Sequence, residues 1–182
     1  MAGALVLVVG PSGAGKDTLI AAGKAALAGD GRYVFPRRVV TRDAVAELED
    51  HDSVNSEQFA AGLKAGAYAL HWQAHGLSYG LPASLKADLA AGRTVIVNGS
   101  RTAVAEARRR FPQVQVILID ASPEVRAARL AGRGRETAAE IAERLKREVP
   151  DALPGAVRVD NSGELSDGIA AFLAALRAIA AD

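Results

Sequence analysis

Gly10-Pro11-Ser12-Gly13-Ala14-Gly15-Lys16-Asp17-Thr18 is the stretch of this 182-residue chain whose residue types and spacing point most directly to chemistry. Glycines at 10, 13 and 15 let backbone N–H groups converge on an anion without Cβ clashes. A helix starting at Lys16 adds a fixed partial positive charge, worth about 0.3–1 kcal/mol per neighbouring anion at exposed sites. Lys16 itself has the reach for the β- and γ-phosphates of a nucleotide. The pattern carries one irregularity. A phosphate loop usually has Ser or Thr directly after the lysine, with its hydroxyl on magnesium. Here Asp17 takes that place and Thr18 follows. A carboxylate also holds magnesium, directly or through water, so Asp17 and Thr18 are the candidate metal-side residues and Mg2+ the expected ion.

Three further stretches carry groups that could act on a phosphorylated ligand. Arg37, Arg38 and Arg42 flank the apolar Val39-Val40. They suit either a solvated edge or an anion clamp, because arginine forks match phosphate geometry and surface arginines are common. An acidic patch follows, with Glu47, Glu49, Asp50 and Asp52 around His51. It reads as a solvated loop, with a magnesium or sugar contact as the alternative. The segment from Ala67 to Pro82 alternates apolar and polar residues about His75-Gly76 and holds Tyr68, His71, Trp72 and Tyr79. Such a hairpin suits a substrate pocket; residue by residue, buried aromatics with exposed histidines are equally compatible. Last, Arg126, Arg129, Arg133, Arg135, Arg144 and Arg147 cluster between and along two expected helices. Arginines of a lid can neutralise a transferring phosphoryl group. Ion pairing with Glu136, Glu140, Glu143 and Glu148 accounts for Arg126 and Arg147 better than for Arg133 and Arg135.

The elements that must position these groups alternate. Leu5–Val9 reads as a buried strand and residues 16–28 as a helix stopped by Gly29-Asp30-Gly31. Tyr33 to Val40 reads as one extended segment, followed by a short helix from Ser56 to Ala65 and a helix over 83–91. Residues 93–99 read as a buried strand with polar residues at its carboxyl end, where open α/β sheets bind ligands, so Asn98, Ser100 and Arg101 are candidates. A helix over 102–111 leads to the nearly all-apolar strand Val114–Asp120. Ser122 and Pro123 then supply an N-cap and first helical position. A helix over 137–148, a strand over 157–160 and a helix over 165–181 complete the order. The pattern predicts a three-layer α/β fold with a central parallel sheet, interrupted by a small insertion at about 34–82 and a lid at about 131–146.

Composition narrows the function classes. A net charge of +1 supplies no basic field for nucleic acid, and none is expected as a partner. Without cysteine there is no disulfide, thiolate metal site or cysteine nucleophile. No apolar run approaches the roughly 20 residues of a membrane span, and no signal peptide is expected at the N-terminus. The expected setting is one cytoplasmic domain over 1–182, as a monomer or homodimer.

Gly10-Pro11-Ser12-Gly13-x-Gly15-Lys16, Thr41-Arg42, Gly76-x-x-Tyr79-Gly80, Phe111-Pro112, Arg129-Leu130 and Arg133-Gly134-Arg135 follow one another in a telling order and spacing. Through them the chain resembles, over essentially its whole length, the guanylate-kinase-like branch of phosphate-loop kinases. It departs from guanylate kinases where they read guanine. Leu70 and Ser100 stand where acidic readers are found, Ser78 stands for the first of two tyrosines, and Asp43-Ala44-Val45-Ala46 replaces a stretch carrying an arginine. A buried base edge left without acceptors loses about 1–3 kcal/mol per hydrogen bond, so guanine is not the expected acceptor. Gly15-Lys16-Asp17-Thr18 and the hairpin Leu70-His71-Trp72-Gln73-Ala74-His75-Gly76-Leu77-Ser78-Tyr79-Gly80 resemble instead the ribose 1,5-bisphosphate phosphokinases, bacterial kinases associated with phosphonate breakdown.

That resemblance implies ATP as donor, the 1-phosphate of a sugar bisphosphate as acceptor, and 5-phosphoribosyl 1-diphosphate and ADP as products. Since the acceptor oxygen is already anionic near neutral pH, no general base is required and catalysis is positioning plus positive charge. It implies roles for Lys16 and the loop residues Gly10, Pro11, Ser12, Gly13, Ala14 and Gly15 on the ATP phosphates, with Asp17 and Thr18 near Mg2+. Arg133, Arg135 and Arg144 become lid arginines, and Arg129, Asn161 and Ser162 join the nucleotide side. Arg38, Arg42 and Tyr79 become the acceptor-phosphate clamp, with His71, His75 and Asn98 on ribose hydroxyls. The alternatives are a nucleoside monophosphate kinase of altered base choice and a non-catalytic binding module of the same fold.

Overall fold

A computed structural model describes residues 3–42, 51–132, 137–147 and 153–181, without the side chains of 138, 144, 146 and 147. In chain order its elements are β1 (Leu5–Val9), α1 (Lys16–Ala26), β2 (Tyr33–Val34), β3 (Arg38–Val40), β4 (His51–Ser53), α2 (Ser56–Lys64), β5 (Tyr68–Ala74), β6 (Leu77–Pro82), α3 (Leu85–Ala90), β7 (Thr94–Asn98), α4 (Arg101–Arg110), β8 (Val114–Asp120), α5 (Pro123–Gly132), α6 (Ala138–Arg147), β9 (Val157–Asp160) and α7 (Leu165–Ile179).

Five strands form a parallel sheet in the order β2-β7-β1-β8-β9. Because strand side chains alternate, the central strands feed two cores. Leu5, Leu7, Val9, Val95, Val97 and Val116 pack with Ala103, Val104 and Ala107 of α4 and Leu85 of α3. Val6, Val8, Ile96, Ile117 and Ile119 pack with Leu19 of α1 and Phe172 and Leu176 of α7. Fully burying each Leu, Val or Ile contributes about 1.5–3 kcal/mol, which accounts for the unbroken apolar run of β1.

The expected extended segment 33–40 is two strands. Pro36 lacks the N–H a ladder needs, and the chain leaves the first sheet after Val34 and enters a second one at Arg38. That second sheet has the order β4-β3-β6-β5. Its β4 also revises the solvated-loop reading of the acidic patch: His51 is buried, Asp52 pairs with Val39, and Arg37 bonds Asp52 Oδ1 at 3.0 Å and the His51 carbonyl at 2.7 Å. Arg37 thus ties β3 to β4 as part of a structural edge. Glu47, Glu49 and Asp50 lie outside the described residues.

Helix ends follow local chemistry. Asn55 and Gln58 form a reciprocal capping box on α2. Ser100 accepts from Thr102 N and caps α4, and Ser122 accepts from Val125 N one residue before Pro123, as the sequence predicts. Among the described residues, no helix is long and apolar enough to cross a membrane.

Candidate active site

The loop after β1 approaches its surroundings so closely that two glycines have no substitute. A Cβ on Gly10 would lie 2.1 Å from the Ile119 carbonyl oxygen. Gly15 has φ 92°, and its Cβ would meet the Asn161 carboxamide at 2.5 Å. Three side chains hold the loop carbonyls from within. Arg126 Nε donates to Ser12 O at 3.0 Å, Arg129 Nη1 to Ala14 O at 3.3 Å and Gly13 O at 3.4 Å, and Asn161 Nδ2 to Ala14 O at 2.8 Å. Arg129 Nη2 in turn donates to Asn161 O at 2.8 Å. A trans peptide sets its C=O and the following N–H on opposite sides. Holding the carbonyls of Ser12 and Ala14 therefore turns the N–H groups of Gly13 and Gly15 away from Arg126, Arg129 and Asn161. Lys16 Nζ folds back onto Gly10 O at 2.7 Å.

Arg126 is the loop-supporting residue that the sequence reading undervalued. It is buried, and its Nε donates to the loop. Burial pushes its guanidinium below the ordinary arginine value, opposed by the charge of Asp120 and reinforced by Arg101. Its spacing of three from Arg129, placing both on one helical face, was the available signal. Asn161 is buried between Gly15 and Gly168. Ser162 accepts from Ser122 N at 2.9 Å and donates through Oγ and N to Asp160 Oδ1, holding that carboxyl below its usual range. Of these two expected nucleotide-side residues, Asn161 supports the loop directly and Ser162 fastens the neighbouring Asp160 to Ser122.

Beside α1 lies a groove of about 430 Å³ lined by Asp17, Lys24, Phe35, Arg38, Ile96 and Asn98, among others. Asp17 Oδ1 accepts from Asn98 Nδ2 at 2.5 Å, and Asn98 O accepts from Arg38 Nη1 at 3.3 Å. The Arg38 guanidinium lies 5.1 Å from the centre of the Tyr79 ring, which stacks on Trp72 at 5.4 Å with 6° between planes. Arg38, Tyr79, Asn98 and Asp17 are thus brought together. Lys24 joins their groove unannounced by any motif; its spacing of seven from Asp17, two helical turns, was the only hint.

The two histidines stand apart from this cluster. His71 pairs with Gly80 while Trp72 pairs with Tyr79, so His71 projects from the opposite face of the hairpin and is exposed. His75 is exposed at the turn, with φ 53°. Trp72 and Leu70 are buried in the apolar core. Thr41 fastens β3 to β6, accepting from Ser78 N at 2.8 Å, and leads into the exposed Arg42. Arg133 and Arg135 lie outside the described residues; Arg144 sits on α6, its side chain outside them too. Thr137 and Glu140 cap α6, with Thr137 N donating to Glu140 at 2.7 Å.

Magnesium takes oxygen ligands and is commonly held by one or two protein oxygens plus substrate phosphates. The Asp17 carboxylate beside the loop fits that donor chemistry. Thr18 is exposed and lies a further 100° around α1, so Asp17 is the residue that shares the groove with Asn98 and Arg38. No group of three or more His, Asp or Glu side chains gathers around a metal position among the described residues.

A glycine-rich loop between a parallel strand and a helix, with an appended four-stranded sheet, defines a phosphate-loop kinase fold of the guanylate-kinase type. The chain superposes on guanylate kinase from Anaplasma phagocytophilum with a TM-score of 0.66 at 20% identity, over 97% of this chain and 86% of that one. A gluconokinase from Sinorhizobium meliloti aligns with a TM-score of 0.53 at 21% identity, over 98% and 94%. No family model matches. Curated relatives are much nearer in sequence. Ribose 1,5-bisphosphate phosphokinase PhnN from Brucella melitensis is 49% identical over 180 residues, 98% of this chain and 94% of its own, and the Acidiphilium cryptum protein of that name is 51% identical over 174 residues, 96% and 92%. The chain belongs to the ribose 1,5-bisphosphate phosphokinase family. It also matches, at 51% identity over 96% of its length, one quarter (25%) of a bifunctional ribose 1,5-bisphosphokinase-thymidine phosphorylase from Azorhizobium caulinodans.

Proposed function

We propose that the chain transfers the γ-phosphoryl group of ATP to the 1-phosphate of ribose 1,5-bisphosphate, giving 5-phospho-α-D-ribose 1-diphosphate and ADP. The observation that carries this reading is the junction of the two half-sites. Asp17, beside the phosphate loop, opens onto a groove whose wall holds the Arg38 guanidinium and the Asn98 carboxamide. Phosphate meeting phosphate in the presence of fixed cations needs no base, only charge and alignment. The apolar, buried Leu70 and Trp72 offer no acceptor to a nucleobase edge, which favours a sugar phosphate over a nucleoside monophosphate.

In this reading the loop N–H groups and Lys16 hold the ATP phosphates, and Asp17 holds Mg2+, which would neutralise charge on them. Arg38, with Arg42 and Tyr79, holds the acceptor, and Arg133, Arg135 and Arg144 close over the transferring group. Lack of cysteine and of an apolar span in the sequence supports a cytoplasmic setting. An ADP-release assay over a panel of acceptors tests the assignment. Turnover is expected with ribose 1,5-bisphosphate and not with GMP or AMP; turnover with GMP alone overturns it in favour of an altered nucleotide kinase.

A further inference from the structure

Asn98 touches both halves of the site. Its carboxamide donates to Asp17 Oδ1 at 2.5 Å, and its backbone carbonyl receives Arg38 Nη1 at 3.3 Å. Asp17 stands where phosphate loops usually carry a hydroxyl, and a carboxylate there differs from a hydroxyl in reach and in charge. Its oxygens sit one bond further from the backbone, on an additional rotatable bond. Two cations, Lys24 and Arg38, line the same groove, and either would draw an unrestrained carboxylate away from the nucleotide. A carboxamide answers both problems. It is an uncharged donor that uses one of a carboxylate's roughly four acceptor positions and leaves its charge intact. A lysine or arginine in its place would cancel the charge that attracts a divalent cation.

The donor is itself anchored. Asn98 ends β7 in register with Val8 of β1, and the next residue continues the ladder, Gly99 N donating to Val8 O at 2.9 Å. We propose that Asn98 is a positioning residue that orients the Asp17 carboxylate toward the metal–nucleotide. Aspartate after the loop lysine then works only with this partner, 81 positions away in sequence. The proposal rests on the donor-side reading of Lys16 and Asp17 and is independent of which acceptor is used.

Calorimetric titration of the full chain with AMP-PNP tests it without turnover. Asn98→Leu keeps the side chain's size and removes the donor, while the carbonyl that receives Arg38 stays. With Mg2+ present, Asn98→Leu is expected to bind AMP-PNP about tenfold more weakly than the wild type, the lower end for losing a partner that orients a metal ligand. With EDTA in place of Mg2+ the two proteins should agree within about twofold. In an Asp17→Ser background the same substitution should change Mg2+-dependent binding by less than about twofold. Equal weakening with and without Mg2+, or an undiminished effect beside Asp17→Ser, would overturn the proposal. Should Asn98→Leu melt early by circular dichroism, Asn98→Ala carries the same titrations. A wild-type chain that fails to bind AMP-PNP under either condition overturns the donor-side reading itself.

Discussion

The proposed donor and acceptor halves of the site are held by different physics. Beneath the phosphate loop, two arginines and an asparagine are spent on main-chain carbonyls, and Arg126 and Asn161 are buried while doing so. The loop's shape is thereby set by hydrogen bonds that bulk water does not compete for. In the acceptor half, Arg38 lies over Tyr79 and Tyr79 over Trp72, all three on one face of an antiparallel hairpin and its neighbour β3. In the proposed reading the side chains there are the binding groups, and stacking orients them. The contrast separates two kinds of rigidity: a proposed donor site whose backbone binds and whose side chains support, and a proposed acceptor site where the roles are exchanged.

The sharpest way to break this contrast is Lys16→Ala. It removes the loop lysine that the proposed reading assigns to the ATP phosphates, and loss of a single donor aimed at developing charge lowers turnover by about 10²–10³-fold. Steady-state kcat should fall by that factor, while equilibrium binding of the acceptor, measured by calorimetry without ATP, stays within about twofold. A parallel collapse of acceptor binding would merge the two halves into one site. Arg38→Ala probes the opposite half and should act more weakly. Loss of a hydrogen bond to a charged group is worth about 1.5–3 kcal/mol, so KM for ribose 1,5-bisphosphate should rise about 10- to 100-fold with AMP-PNP affinity unchanged. Arg38→Lys should recover only part of this, because an ammonium does not reproduce the guanidinium's planar fork or its stacking on Tyr79. If nucleotide affinity fell instead, Arg38 would belong to the donor half.

The same contrast explains what was legible in the sequence. Backbone chemistry shows itself through glycine spacing, so Gly10, Gly13, Gly15 and Lys16 could be read directly, as could the strand before them and the helix after. Parallel strands between helices and the Ser122-Pro123 helix start were equally legible, since each follows from local chemistry. Side-chain chemistry depends on which face a residue occupies, and that is harder to read. β5 bulges between Tyr68 and Leu70, with no glycine or proline in the bulge to announce it. The irregularity sends Tyr68 to the face of Gly80, stacked on Phe59 at 4.7 Å, while Leu70 enters the core. Plain alternation would have kept Tyr68 and Leu70 together. Arg126 and the Asn98–Asp17 pair were hidden for a related reason: each acts on a partner distant in sequence, and residue type alone does not say whether an arginine faces water or a loop carbonyl.

The two histidines give the smallest expected effect and the finest test of where the acceptor half ends. Histidine in a hairpin invites a catalytic or sugar-reading role, yet His71 shares its face with Gln73, Ser78 and Gly80, opposite Trp72, Tyr79 and Leu81. It also lines a separate hollow of about 710 Å³ with Phe59, Leu63 and Arg110, among others. His75 occupies the exposed turn. Neither neighbours the Asp17–Asn98–Arg38 contacts, and exposed substitutions away from special features usually change free energies by less than about 0.5 kcal/mol. His71→Ala should therefore leave kcat and both KM values within about twofold of wild type. His75→Gly should do the same, the glycine being suited to the positive φ of the turn. A tenfold rise in the acceptor KM for His71→Ala alone would mean that the acceptor reaches around the β5 edge to the hairpin's outer face. The groove beside Asp17 would then be only one part of the acceptor site, and the division between a backbone-built donor half and a stacked acceptor half would have to be redrawn along β5.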